Sequence, residues 1–400
     1  MTVSWLRDFQ FGAVARVEFG IGIARRAGAI IRDLNARSAL LMTDAGLYRL
    51  GIAEPAEAAL REAGIRVEVF DGVVTEPTLP SVEAAVARFR EAQCDVVVGL
   101  GGGSSMDSAK AVSLLLGNGG RFTDYTERRV GTEWKRDKIP SKKGPDIVTV
   151  PTTAGTGADV TAGAGVFDPE TGVKGWAGGP MVRPTVAICD PLLSASMPPR
   201  VTADTGMDAL SQALEALLTL KFNPYADAIL LRATRDIIRY LPQAFANGQN
   251  LEARAAMMAA ATMVGTVFPT RNLIHVHTYA EVLGDLTHLP HGRLIGLMLP
   301  HVLEWSAIGC ADRLAEIAPA LDENVAGLST RDAADRALAA VRRLGQEVEM
   351  TDPLSTLGAT EAQMRECARR VYSQHTPRSI GGPRGFRSEE ETLALLMRAF

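Results

Sequence analysis

The chain concentrates its imidazoles. Of six histidines in 400 residues, His275, His277, His288 and His291 fall within seventeen positions, and His301 follows ten residues later. Neutral imidazole is the commonest nitrogen ligand of divalent metals, so this density points to metal chemistry. The competing reading for any one of them is a hydrogen-bonded core histidine. In HVHTYAEVLGDLTHLPHG, His277 and Glu281 lie one helical turn apart on one face, and His291 sits in a Pro-His-Gly turn. A second candidate surface is TADTGMDALSQALEAL (202–217), where Asp208, Gln212 and Glu215 share a helix face. A carboxylate turned inward from an Ala/Leu-rich helix needs a partner or a metal, because burying it unpaired is costly. The alternative is that this face is simply wet.

A different chemistry gathers in the first half. Gly101-Gly102-Gly103-Ser104 follows the apolar run DVVVGL and opens a helical stretch carrying Asp107 and Lys110. Glycine lets a backbone approach a pyrophosphate, and a helix N-terminus offers free amides. The run is not GxGxxG, and a tight strand-to-helix turn would ask for the same glycines. Lys110 reads either as a phosphate counter-charge or as a solvated helix residue. Pro151 to Gly157, PTTAGTG, is a second small polar loop after a buried-type strand, and its hydroxyls and amides suit phosphate or ribose oxygens. Asp44 ends the run SALLMTD, where an acid can accept from a ribose 2′-hydroxyl and repel a 2′-phosphate, or merely cap a helix.

The elements that must carry these residues alternate at first. Strand-like runs at 38–44, 65–73, 95–103, 146–153 and 185–190 are interleaved with helical spacing at 54–64, 82–92 and 104–117. Continuous apolar strands alternating with helices predict a parallel sheet covered on both faces, with ligands beyond the carboxyl ends of the strands. VTAGAGVFDPETGVKGWAGG (160–179) reads as a hairpin. After Pro198-Pro199 helical segments dominate, at 205–220, 224–240, 251–268, 310–320, 330–345 and 360–372. The expected layout is an α/β nucleotide-type domain over 1–189 and an all-α domain over 190–400.

Composition removes several function classes. The formal charge is 42 − 46 = −4 with no Lys/Arg-rich run, a poor basis for binding nucleic acid or an anionic membrane. No stretch of 18 apolar residues appears, and Asp8 interrupts the place of a signal-peptide core. Cys94, Cys189, Cys310 and Cys367 lie far apart with no metal spacing, the usage of reduced thiols. The expectation is a soluble cytoplasmic protein.

Taken together, LGGGSSMDSAK (100–110), VPTTAGTGADVT (150–161), CDPLLSASMP (189–198), TGMDALSQALEAL (205–217) and PHG (290–292) resemble the iron-containing (group III) alcohol dehydrogenase family. FGIG at 19–22 and GPRGF at 382–386 extend the resemblance over nearly the whole chain. It implies the group III alcohol dehydrogenase fold, related to that of dehydroquinate synthase: a dinucleotide-binding α/β domain, here 1–189, followed by a helical metal- and substrate-binding domain, here 190–400. It implies that Gly101, Gly102, Gly103 and Ser104, with Asp107 beside them, bind the pyrophosphate of NAD. Thr152, Thr153 and Thr156 would line the nucleotide site and Lys174 approach the ribose. Asp44 matches the acid of members preferring NAD to NADP. Asp208, His277 and His291 match three of the family's four metal ligands, for Fe2+ or Zn2+. Members are commonly dimers or larger, so a homodimer or higher homo-oligomer is expected.

The sequence departs from the family at three points. Gln212 stands where most members have a ligand histidine, Glu281 where many have a histidine near the nicotinamide, and Ala158-Asp159 where Ser-Glu is usual. An amide oxygen is a weak neutral ligand, yet Asp, His and His suffice for a catalytic cation with an open position. Glycerol dehydrogenases and dehydroquinate synthases resemble that pattern, whereas maleylacetate reductases can lack the metal set.

The expected reaction is hydride transfer between a small alcohol or aldehyde and NAD(H), with the cation at Asp208, Gln212, His277 and His291 polarising the substrate oxygen. His275 and Glu281 are candidates for proton relay, and Glu281 also for a fourth ligand. Rival readings are a metal-free reductase, in which His277 or His291 donates the proton, a lyase using NAD transiently, and a nucleotide-binding protein that has lost catalysis. Arg271, His375 and Arg378 are candidate anion handles in a pocket whose substrate the sequence does not name.

Overall fold

The computed structural model describes residues 9, 11–12, 14–130, 133–267, 273–375 and 382–400. They form two compact units, Ala13–Ser196 and Met197–Phe400, the second also taking in the chain start up to Gly12. There, Phe9 and Phe11 pack against Tyr225 with tilted rings, at 5.6 and 5.9 Å between centroids. The division falls in the turn before a long helix rather than directly after TVAICD.

The first unit is an α/β layer structure. Strands β1 (Arg16–Phe19), β2 (Ser38–Met42), β3 (Arg66–Phe70), β4 (Val96–Gly101), β7 (Asp146–Pro151) and β10 (Val186–Cys189) make one sheet; β5 (Arg128–Val130) pairs with β6 (Glu133–Lys135), and β8 (Gly163–Asp168) with β9 (Val173–Gly178). The six-stranded sheet runs β1-β10-β7-β4-β2-β3 with every pairing parallel. Its helices are α1 (Ala27–Arg32), α2 (Ala45–Arg49), α3 (Glu54–Glu62), α4 (Leu79–Glu91) and α5 (Gly103–Asn118). Alternate residues of each strand serve opposite faces. Leu40, Met42 and Val97 pack with Val82, Phe89 and Val112 of α4 and α5, while Leu41, Val98 and Ile188 pack with Ile30, Ile31 and Leu60 of α1 and α3.

The strand order reverses between β2 and β4: the chain moves outward to β3, then crosses back to β4, β7 and β10. Such a switch point opens a crevice at the carboxyl ends of its strands. The expected hairpin at 160–179 is β8–β9. β1 and the β5–β6 pair were not anticipated from the sequence. They are short, and neither the burial pattern of RVEF nor the three-residue strands carry a strong periodic signal.

The second unit is helical: α6 (Pro199–Leu218), α7 (Pro224–Ala246), α8 (Leu251–Gly265), α9 (His275–Thr287), α10 (His291–Ser306), α11 (Ala311–Ile317), α12 (Thr330–Glu347), α13 (Glu361–Arg370) and α14 (Glu389–Leu396). α6 is its centre, with sixteen of its residues buried. Among the described residues no helix is long and apolar enough to cross a membrane.

Candidate functional site

In the sheet unit, the two small-residue loops are adjacent because β4 and β7 are adjacent. Gly101 pairs with Pro151, and the Thr152 amide donates to the Gly101 carbonyl at 2.9 Å. Gly101 has φ +147°, and a Cβ there would lie 2.4 Å from Ser105 Oγ, so only glycine fits. Gly102 caps α5 without a side-chain bond, and a Cβ on Gly103 would meet Thr156 at 3.0 Å. The turn is therefore bare backbone facing threonine hydroxyls, and the 16-residue α5 presents its uncapped N-terminal amides there. Amide donors in a glycine cradle fit a pyrophosphate.

Asp44 follows β2 on the other side of the switch point. Its Oδ1 accepts from the amides of Gly46 and Leu47, both at 2.9 Å, so it caps α2, and its Oδ2 remains for a further donor. Leu47 of that helix lies beside Gly101. Ser104 donates to the Thr75 carbonyl, and neighbouring Glu76 pairs with Lys174 at 3.3 Å. Lys110 is neither of the two things expected of it: it is fully buried, bonded to Asp107, Thr161 Oγ1 and the Gly163 carbonyl. Asp107 in turn accepts from the Gly165 amide, so both residues pin the β8–β9 hairpin to α5.

In the helical unit, α6, α9 and the start of α10 bring together Asp208, His277 and His291, whose ligand atoms all lie within 4.8 Å of one another. Metal–ligand bonds of about 2.1 Å place neighbouring donors roughly 3.4 Å apart, so the cluster has the right span for one cation. The approach of α10 depends on Gly292, whose Cβ would stand 2.5 Å from the Asp204 carbonyl oxygen of α6. A buried ion pair, Arg293 Nε to Asp204 Oδ1 at 2.8 Å, fastens the same contact.

The donors are also held in orientation. Glu215, fully buried on α6, lies 2.5 Å from His277 Nδ1. A carboxylate only accepts, so Nδ1 carries a proton, and Nε2 is the nitrogen turned to Asp208 Oδ1 at 3.2 Å. Nε2 has no hydrogen-bond partner. Two lone-pair donors at that distance repel unless a proton or a cation lies between them. Burial opposes charge on His277, yet Glu215 and Asp208 outweigh it and push the imidazole up to about 10. Burial likewise works against the charge of Asp208, but His277 and His291 hold its carboxyl below the usual range. Two buried carboxylates face this imidazole, and either a proton on Nε2 or a divalent ion in its place would balance them.

Gln212 donates from Nε2 to Asp208 Oδ1 at 3.1 Å, and its Oε1 is buried without a partner. Glu281 lies one turn beyond His277 on α9, half-buried. His275 is fully buried: its Nε2 donates to the Arg384 carbonyl at 2.6 Å, its ring packs on Trp305 and Phe386, and burial pushes its pKa down. This buried aromatic environment favours a neutral ring held by packing. His288 closes α9 in the left-handed region at φ +57° and is exposed. Arg271, Arg378 and the His375 side chain lie outside the described residues. Sequence reading placed Glu215 on the right face but missed its role, because the strand of contacts it makes, to residues 274–277, is far away in the chain.

The chain matches the iron-containing alcohol dehydrogenase model over residues 15–191 and the C-terminal model of the same family over 202–400. It is 36% identical to the NAD-dependent methanol dehydrogenase of Bacillus methanolicus over 363 residues, 90% of this chain and 93% of that one. It is 37% identical to the 1,3-propanediol dehydrogenase of Klebsiella pneumoniae, covering 96% of each. A crystal structure of a 1,3-propanediol oxidoreductase superposes with a TM-score of 0.91 at 36% identity, covering 98% of this chain and 100% of that one. With its parallel-sheet unit, its helical unit and the donor cluster on α6, α9 and α10, the chain belongs to the iron-containing alcohol dehydrogenase family and is an NAD-dependent oxidoreductase acting on CH–OH groups.

Proposed function

We propose that this enzyme interconverts a small primary alcohol and its aldehyde, with the nucleotide held over 1–189 and the metal and substrate over 190–400. The observation that carries the reading is the Asp208–His277–His291 cluster with its unpartnered His277 Nε2. Asp208, His277 and His291 would hold Fe2+, with Zn2+ as the alternative metal. Gln212 is the fourth donor in this reading: turning its amide over presents Oε1 in place of Nε2. When bound, the cation supplies a Lewis acid for the substrate oxygen and NAD(H) takes or gives the hydride.

The chain's own residues divide the remaining tasks. The amides of Gly101, Gly102, Gly103 and Ser104 bind the pyrophosphate, Thr152, Thr153 and Thr156 line the nucleotide, and Lys174 approaches the ribose. Asp107 supports this cradle through the hairpin. Asp44 Oδ2 accepts from a ribose hydroxyl and disfavours a 2′-phosphate, which makes NAD the cofactor and NADP the poorer one. Glu281, on the His277 face of α9, exchanges the proton with solvent through its carboxylate. Four free buried cysteines support a reducing, cytoplasmic setting, and the exposed Val17 and Phe19 on edge strand β1 support a homodimer or larger assembly.

The test is elemental analysis of the purified enzyme before and after chelation, with NADH oxidation followed on a panel of small aldehydes. About one metal per subunit, activity lost on its removal and regained on adding Fe2+ or Zn2+, supports the reading. Full activity without metal returns the chain to the metal-free reductases, where His277 or His291 donates the proton.

A further inference from the structure

We infer that Glu215 is the positioning residue that makes His277 a metal ligand, through one carboxylate that both fixes the imidazole tautomer and seats the first turn of α9. The inference rests on the metal reading above and adds to it a residue that touches neither metal nor substrate.

Each oxygen of Glu215 has its own task. Oε1 accepts from His277 Nδ1 at 2.5 Å and from Ser211 Oγ at 2.9 Å. Oε2 accepts from the amides of Ile274 at 2.8 Å and Val276 at 3.2 Å. α9 begins at His275 with no capping side chain of its own, so a residue of α6, some sixty positions earlier, satisfies its first amides. With four donors converging on it in a fully buried place, the carboxylate has no role but acceptor. Nδ1 must therefore hold a proton, and when the ring is neutral Nε2 is the lone pair beside Asp208. Were the tautomer reversed, an N–H would point where the cation belongs. Outer partners of this kind typically govern 10- to 100-fold in metal affinity.

Glu215→Gln keeps the shape and breaks the logic. If its amide oxygen serves the α9 amides, its NH2 faces His277 and forces Nδ1 to accept, moving the proton to Nε2. If the oxygen faces His277 instead, N–H meets N–H at the start of α9. Co2+ dissociation constants are measured for wild type and E215Q by chelator competition, with the visible Co2+ spectrum recorded for both. The expected result is Co2+ binding weakened about 10- to 100-fold, an altered spectrum, and NADH binding unchanged. Equal affinity and an identical spectrum in E215Q would overturn the inference while leaving the metal reading intact. A wild-type protein that binds no Co2+ at all would remove the metal reading, and this inference with it. Should E215Q fail to fold, the Zn2+-loaded wild type decides: in 15N-histidine spectra, with His277 assigned by its loss in H277A, the Nδ1–H tautomer is expected and the Nε2–H tautomer contradicts the inference.

Discussion

The glycine turn after β4 and the donor cluster on α6, α9 and α10 are built on opposite principles. The turn is made by leaving side chains out: Gly101, Gly102 and Gly103 let bare amides head α5, against threonine hydroxyls from the neighbouring loop. The cluster is made by forcing charged side chains in: Asp208 and Glu215 are buried, and each depends on a partner supplied by another helix. A backbone site tolerates changes of side chain but not an added methyl group. A side-chain site tolerates changes of packing but not a missing charge.

That contrast can be broken by substitutions confined to one region. Removing a ligand should be the largest effect. Asp208→Ala is expected to abolish stoichiometric metal and lower kcat/KM by ~10³-fold, since Lewis-acid polarisation contributes several kcal/mol and each 1.36 kcal/mol is tenfold. NADH binding, followed by fluorescence, should be unchanged; a parallel loss would show the regions to be coupled. Filling the cradle should be next. Gly103→Val drives a branched side chain toward Thr156, and overpacking of roughly 1–3 kcal/mol predicts NADH binding weakened about tenfold or more with metal content intact.

The charge logic of the cluster predicts a pH effect in the chelated protein alone. His277 is raised from an ordinary value near 6.5 to about 10, so its contribution to stability is fully present below 6.5 and is lost as pH rises toward 10. The Tm of the chelated protein should fall by several degrees relative to the metal-loaded one across that interval, and parallel curves would contradict it. The smallest effect belongs to Asp44. Asp44→Ala removes an α2 cap worth ~1 kcal/mol and the acid proposed to meet the ribose. The NAD-to-NADP ratio of kcat/KM should fall about fivefold, as expected for a partly exposed charge.

The same contrast explains what the sequence made legible. Glycines, threonines and apolar strands are local signals, so the parallel sheet, the β8–β9 hairpin and the adjoining loops could be read from their own residues. The histidine cluster and the acid-bearing face of α6 were legible by residue type and spacing, and the family resemblance singled out Asp208, His277 and His291, which the fold brings together. What escaped were roles fixed by distant partners. Lys110 read as a phosphate counter-charge or a solvated residue and is buried against Thr161 and Gly163. His275 read as a relay and lies in an aromatic cage closed by Phe386. Glu215 read as one more acid on a face, and its partners on α9 and just before it lie 59 to 62 positions further along. Spacing along one helix carries no information about which element will cross it.

The most direct test of the account is anomalous diffraction at the iron or zinc edge from crystals of the metal-loaded enzyme. The account predicts one peak per subunit, about 2.1 Å from an Asp208 oxygen, His277 Nε2 and a His291 nitrogen. An active crystal with no peak there, or with His277 turned to offer Nδ1, would contradict it.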